Sequence, residues 1–266
     1  MRAGYHRAKS YPRITFTPGG IMFTSHVSRR TLLAVAASLM LGTVTLLDAA
    51  RVEAQPSGAP LKIGIIGTGK IGGALARHWV KAGHEVFVSS RHPEELQDLV
   101  KELGPKARAG TPKEAAAFGS VVLVSIPYGA MPQIGEDLRA ELAGKVIIDT
   151  SNPNTGRDGA QAAEWQKKGA GVSTAELLHS TRVVRAFNCI PAASLANNGN
   201  RQPERIAIPV GGDDAAALEI GQRLVREAGF DPVVVGSLAK TREFDLGQPL
   251  AQGNLTAAQL RAKLNP

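Results

Sequence analysis

Leu61-Lys62-Ile63-Gly64-Ile65-Ile66-Gly67-Thr68-Gly69-Lys70-Ile71-Gly72 decides how the chain is read. An apolar run ends on G-x-G-x-x-G and passes into a helical pattern with Ile71, Leu75 and Trp79 on one face. Such a run suits a parallel strand buried on both sides. Each glycine then has a mechanical task. Gly67 allows the tight turn, Gly69 lets backbone approach a pyrophosphate, and Gly72 lets the helix pack closely on the strand. The helix N-terminus, opened by Lys70 and Ile71, faces the anion. The pattern predicts a dinucleotide site built from Gly67, Thr68, Gly69, Lys70, Ile71 and Gly72.

Outward from this loop, apolar runs recur near 61–66, 85–89, 121–126, 145–149, 182–187, 206–210 and 232–235. Helical patterns fit 70–82, 93–103, 111–117, 130–142, 214–228 and 256–264, while the glycine-rich 153–172 reads as irregular at its start. Alternating strands and helices predict an α/β fold, a Rossmann-type doubly wound parallel sheet over residues 61–190. Residues 191–266 read as a smaller C-terminal α/β cap.

The end of the second strand selects the dinucleotide. An NAD site usually places an acid there for the ribose 2′-hydroxyl. Here the chain reads Ser89-Ser90-Arg91-His92. A hydroxyl at Ser90 and the guanidinium fork of Arg91 suit a 2′-phosphate, so NADP(H) is expected. Two further strand ends should line the crevice: Ser125-Ile126-Pro127-Tyr128, with Pro127 and Tyr128 as a flat wall near the nicotinamide, and Asp149-Thr150-Ser151-Asn152-Pro153, with Asp149 capping the turn.

Composition bounds the rest. With 43% hydrophobic and 20% charged residues the chain can bury a full core. The net charge of +8 sits mostly in the leader, since residues 1–54 carry seven Lys/Arg against two Asp/Glu and the remainder 24 against 21. No nucleic-acid footprint follows. The single cysteine, Cys189, excludes an internal disulfide framework, and no histidine and carboxylate spacing suggests a metal site. Ser28-Arg29-Arg30 precedes an apolar stretch from Leu32 to Leu47, and Val52-Glu53-Ala54 offers a cleavage pattern. Residues 1–54 therefore read as a twin-arginine export signal, with translation starting at Met1 or Met22, and residues 55–60 as a linker. The expected location is the periplasm; the alternative is a membrane anchor formed by an uncleaved signal.

The chain resembles the NADPH-dependent coenzyme F-420 reductases, a family that the nucleotide-binding halves of ferric-reducing membrane proteins also resemble. Collinear blocks carry the likeness: Ile65-Ile66-Gly67-Thr68-Gly69, Gly83-His84-Glu85-Val86, Ser90-Arg91, Ile126-Pro127, Val183-Val184-Arg185-Ala186-Phe187-Asn188, Ile190-Pro191-Ala192-Ala193 and Pro209-Val210-Gly211-Gly212-Asp213-Asp214. The resemblance implies that Thr68 to Ile71 hold the pyrophosphate, that Ser90 and Arg91 hold the 2′-phosphate, and that Tyr128 with Ile190 to Ala192 lines the nicotinamide end. It implies a second hydride carrier there, coenzyme F-420 or a flavin. Two positions depart from the family: Glu95 stands where a lysine is usual, and Asn188 where some members have histidine.

Hydride exchange between stacked rings needs positioning and exclusion of water, so no catalytic side chain is assigned. His78, His84 and His179 read as structural or surface residues. The expected partner is a small-molecule hydride acceptor, with contact to membrane only through the export signal; a homodimer is compatible with this reading. Competing readings are an NADPH sensor or carrier without turnover and a pyrroline-5-carboxylate reductase-like dehydrogenase.

Overall fold

A computed structural model of the chain describes residues 58–264. The expected export signal over 1–54 and the first linker positions lie outside the described residues. Eight strands form one sheet: β1 Lys62–Ile66, β2 Glu85–Ser89, β3 Ala107–Gly110, β4 Val121–Val124, β5 Val146–Asp149, β6 Arg182–Arg185, β7 Ala207–Gly212 and β8 Asp231–Gly236. Their spatial order is β3-β2-β1-β4-β5-β6-β7-β8. All neighbours from β3 through to β6 run parallel. The order reverses between β1 and β4, and this switch point opens a crevice at the carboxyl ends of the strands.

Period-two alternation explains the layers. Val121 and Leu123 of β4 enter one core with Ile63, Ile65, Val86 and Trp79, while Val122 and Val124 enter the opposite core with Ile147, Val183 and Trp165. Both faces are covered by helices. On the first side lie α1 Lys70–Lys81, α2 Gln97–Leu103, a short helix Ala192–Asn197 and α10 Ala215–Glu227; on the second lie α3 Pro112–Phe118, α4 Met131–Asp137 with α5 Arg139–Leu142, and α7 Ala162–Lys168 with α8 Ala170–Leu177. The one-turn α6 Thr155–Asp158 precedes α7, and the short Ala192–Asn197 helix is α9.

Three expectations need correction. The residues after Ile190 are α/β, but β7 and β8 extend the same sheet instead of forming a separate cap. β7 joins β6 antiparallel, Val184 opposite Gly212 and Arg185 opposite Gly211. A third apolar cluster of Ala207, Val233, Phe244, Leu250 and Leu260 seals that end against α11 Ala257–Leu264. The helix expected over 130–142 breaks at Leu138. The segment expected to be irregular forms α6, which begins at an Asn154 cap whose side chain accepts from the Arg157 amide at 3.1 Å.

Candidate functional site

The glycine loop is built from backbone. Gly67 has φ +93°, and a Cβ there would strike the Ser125 carbonyl of the neighbouring strand end. A Cβ at Gly72 would strike the Gly67 carbonyl, so that position lets α1 close on its own loop. Gly69 differs, because a Cβ there would meet no atom within 4 Å. Its open side marks the space where a ligand's backbone-hugging group would lie. Within α1 Gly73 donates to the Gly69 carbonyl at 2.8 Å, which leaves first-turn N–H groups pointing at this space, and that turn holds no acid. The arrangement fits an anionic pyrophosphate.

Thr68 locks this loop to the end of β2. Its hydroxyl donates to the Ser89 carbonyl at 2.9 Å and accepts from the Ser89 amide at 3.0 Å. Ser89 in turn donates its hydroxyl to the Ile65 carbonyl at 2.6 Å. The Thr68 side chain is therefore occupied, and its amide also donates to the Ser89 carbonyl at 3.3 Å, so the amides left for the pyrophosphate begin at Gly69. The link brings Ser90 and Arg91 beside the loop. Ser90 is half-buried and accepts from the His92 amide at 3.1 Å, leaving its O–H free to donate, and Arg91 is exposed. His92 reaches Glu94 at 3.3 Å, and with Glu95 next to it this strand end carries two acids on its rim. Lys70 is exposed, Ile71 half-buried.

The nicotinamide-end expectations fare unevenly. Pro127 is exposed at the end of β4, and Ala192 is half-buried at the start of α9. Tyr128 is not a wall. It is fully buried, packs on Trp165 with ring centroids 5.1 Å apart, and its hydroxyl donates to the Ala170 carbonyl at 2.8 Å beside Thr174. Burial, joined by the Asp149 charge, pushes its phenol well above the usual tyrosine range. Ile190 likewise turns its side chain into the core, so only its backbone can face a ligand.

A charge network missed by sequence reading lies under these strand ends. Arg185, fully buried on β6, pairs with Asp149 on β5 at 2.8 Å and with Asp245 at 2.8 Å, and also donates to the Ser151 carbonyl and to Asn152 Oδ1. Thr174 donates to Asp149 at 2.8 Å, and the Ser151 amide donates to the other Asp149 oxygen at 2.8 Å, the cap expected for that residue. Burial works against the Arg185 charge, but the two carboxylates outweigh it and hold its pKa above the ordinary arginine value. Asn152 donates to the Asn188 carbonyl at 2.7 Å, and Asn188 donates to the Phe244 carbonyl at 2.9 Å. Between them Phe187 sits at φ +60°, a costly conformation for an aromatic residue, buried against Trp79 and Phe230.

The remaining titratable groups lie elsewhere. His84 accepts from the Leu61 amide at 3.0 Å and faces Glu227 at 2.8 Å, at the amino end of the sheet. Burial works to raise the Glu227 carboxyl, but hydrogen bonds from His84 and Arg223 outweigh it and hold it low. His78 contacts the Leu195 carbonyl at 2.7 Å, and His179 is exposed. Cys189 is buried, which pushes its thiol up to about 12. It is not a nucleophile.

Residues 62–153 match the family described as coenzyme F420-dependent NADP oxidoreductases. An F420-dependent NADP reductase of Methanothermobacter thermautotrophicus is 28% identical over 204 residues, covering 71% of this chain and 87% of that protein. Over residues 62–153 the chain is similar to this NADP oxidoreductase family. The metalloreductase STEAP3 of Rattus norvegicus is 32% identical over 196 residues, 71% of this chain but 36% of its own length. The chain thus spans about a third of the metalloreductase's length and most of the Methanothermobacter reductase's. A crystal structure of the hypothetical protein SMa0349 from Sinorhizobium meliloti superposes with a TM-score of 0.65 at 26% identity, over 74% of this chain and 95% of that one. The family-matched region spans the glycine loop, Ser90, Arg91 and Pro127; the network around Arg185 draws partly on residues beyond it.

Proposed function

We propose that the chain binds NADP(H) along the β1–β2 edge and passes hydride between its nicotinamide and coenzyme F-420 or a flavin-like acceptor. The pyrophosphate lies on the backbone of Gly69 to Ile71, and Ser90 and Arg91 take the 2′-phosphate. The observation that carries this reading is the open space at Gly69 joined through Thr68 to a strand end bearing Ser90 and Arg91.

NADP(H), held by the glycine loop with Ser90 and Arg91 at its 2′-phosphate, would supply the hydride, and the acceptor's further proton would come from water. The chain's own residues orient and exclude. Pro127 and the Ile190–Ala192 backbone frame the ring end, and the buried network fixes the strand ends from which they hang. Among the described residues His84 and His78 are engaged away from the ring end, which supports direct transfer over a hydroxy-acid or imine dehydrogenase. The β7–β8 extension supports the same choice, since the dehydrogenase alternative expects a long helical domain after Ile190.

The test offers the purified protein NADPH with coenzyme F-420, FMN, ferric chelates and small keto acids in parallel. Oxidation of NADPH with the first two classes is expected. Turnover confined to a keto acid would replace this reading with a dehydrogenase, and micromolar NADPH binding without any turnover would replace it with a sensor.

A further inference from the structure

A cavity of about 270 Å³ opens at the carboxyl end of β5. Asn152 and Pro153 form one wall, Gln166 of α7 another, and the third is the end of the 3-10 helix Leu238–Phe244 with the turn after it, which contributes Arg242, Asp245 and Gln248. β5 is two strands from β1 in the sheet, about 10 Å at ordinary strand spacing. The cavity therefore lies on the nicotinamide side of the crevice, away from the β2 end where Arg91 stands.

Its polar groups are partly spent. The Asp245 carboxylate shares Arg185 with Asp149, at 2.8 Å from each, and its other oxygen accepts from the Ala170 amide at 3.0 Å. Arg242 forms no ion pair among the described residues, and its stem lies over Gly169, where a Cβ would sit 3.5 Å away. The same guanidinium borders a second, more open hollow, but there Lys240 and Glu243 neutralise each other at 3.1 Å. Gln166 gives one of its two amide N–H groups to the Pro153 carbonyl at 3.0 Å, and Asn152 gives one of its own to the Asn188 carbonyl at 2.7 Å. The side chains of Arg242 and Gln248 donate no hydrogen bond among the described residues, and they stand beside the 59% exposed Leu246. An unpaired guanidinium fork with an amide suits a phosphate or carboxylate, and the apolar rim suits the body that carries it.

We infer that this cavity is the anion subsite of the hydride acceptor, with Arg242 as the residue that selects acceptors bearing a phosphate or carboxylate. The inference rests on the hydride-transfer reading for the acceptor's identity but not for the subsite itself. FMN and riboflavin share one ring system and differ by a phosphate, so they isolate the contact. Flavin fluorescence titrations of the full-length protein in the presence of NADP+ should show FMN binding at least about tenfold tighter than riboflavin. Arg242→Ala should weaken FMN about ten- to hundredfold and leave riboflavin within about twofold, and Arg242→Lys should recover part of the loss. Equal affinity for the two flavins, no binding of either, or an equal loss of both in Arg242→Ala would overturn the subsite. NADPH oxidation measured in the same samples keeps the two ideas apart: selective FMN binding without turnover contradicts hydride transfer and supports the subsite.

Discussion

The two ends of the crevice are made in opposite ways. At β1 and β2 the working groups are backbone amides and exposed side chains, and the loop is held by one threonine and by glycines whose missing Cβ atoms make room. At β5 and β6 the working surface is carried by a buried ion network in which Arg185 serves two carboxylates, a carbonyl and an amide. The first end can bind an anion at little structural risk, because its charges are solvated. The second end is rigid because its charges are not, and removing one leaves the others unpaired in low dielectric. On the proposed reading, one end cradles a flexible dinucleotide and the other fixes a ring, and each device sits where it fits.

The largest expected effect comes from breaking the buried end. Arg185→Leu leaves Asp149 and Asp245 uncompensated and should cost about 3–5 kcal/mol in unfolding stability, read by denaturant titration. Adding Asp149→Asn and Asp245→Asn should return part of that loss. NADPH affinity of the folded fraction should stay near the parent value, since the glycine loop is assembled independently; a collapse of NADPH affinity in a well-folded variant would erase the distinction between the two ends.

A smaller effect sharpens the comparison from the wall beside β5. Asp158 is half-buried with its side chain covered, and its hydrogen bonds from Arg157, with others from the Asn154 and Gly129 backbone, hold its carboxyl down at about 2 from an ordinary 3.8. A depressed carboxyl stabilises the fold above its ordinary value and loses that contribution as pH falls toward the folded value. The stake is about 2 kcal/mol. Asp158→Asn should lower stability at neutral pH by about that amount and flatten the acid decline between 3.8 and 2. An unchanged acid slope would show that this wall is not held by the charge.

The same contrast governs what could be read in the amino-acid sequence. The glycine loop and seven of the strands were legible because buried parallel strands are continuous apolar runs and turn glycines have fixed spacing. β3 was not, since Ala107-Arg108-Ala109-Gly110 has no β-branched residue and is an edge strand whose Arg108 lies over the Phe118 ring at 5.5 Å. Tyr128 was misread because a tyrosine at a strand end is compatible with either a crevice or a core, and only Trp165, 37 positions later, decides it. The signal for the ion network was present but unused. Asp149 ends one apolar strand and Arg185 sits within another, and charges of opposite sign on adjacent buried strands have to pair. Asp245 could not be found that way, because the turn carrying it follows a 3-10 helix with no periodic pattern.

We propose that the solvated end reads a phosphorylated dinucleotide through Arg91. Direct titration of the parent protein and Arg91→Ala with NADPH and with NADH tests it most closely. The parent should prefer NADPH, and the variant should lose about ten- to hundredfold in NADPH affinity while NADH affinity changes little, as expected for one charge-assisted phosphate contact. Equal losses for both dinucleotides, or a parent protein that binds NADH as tightly as NADPH, would contradict it.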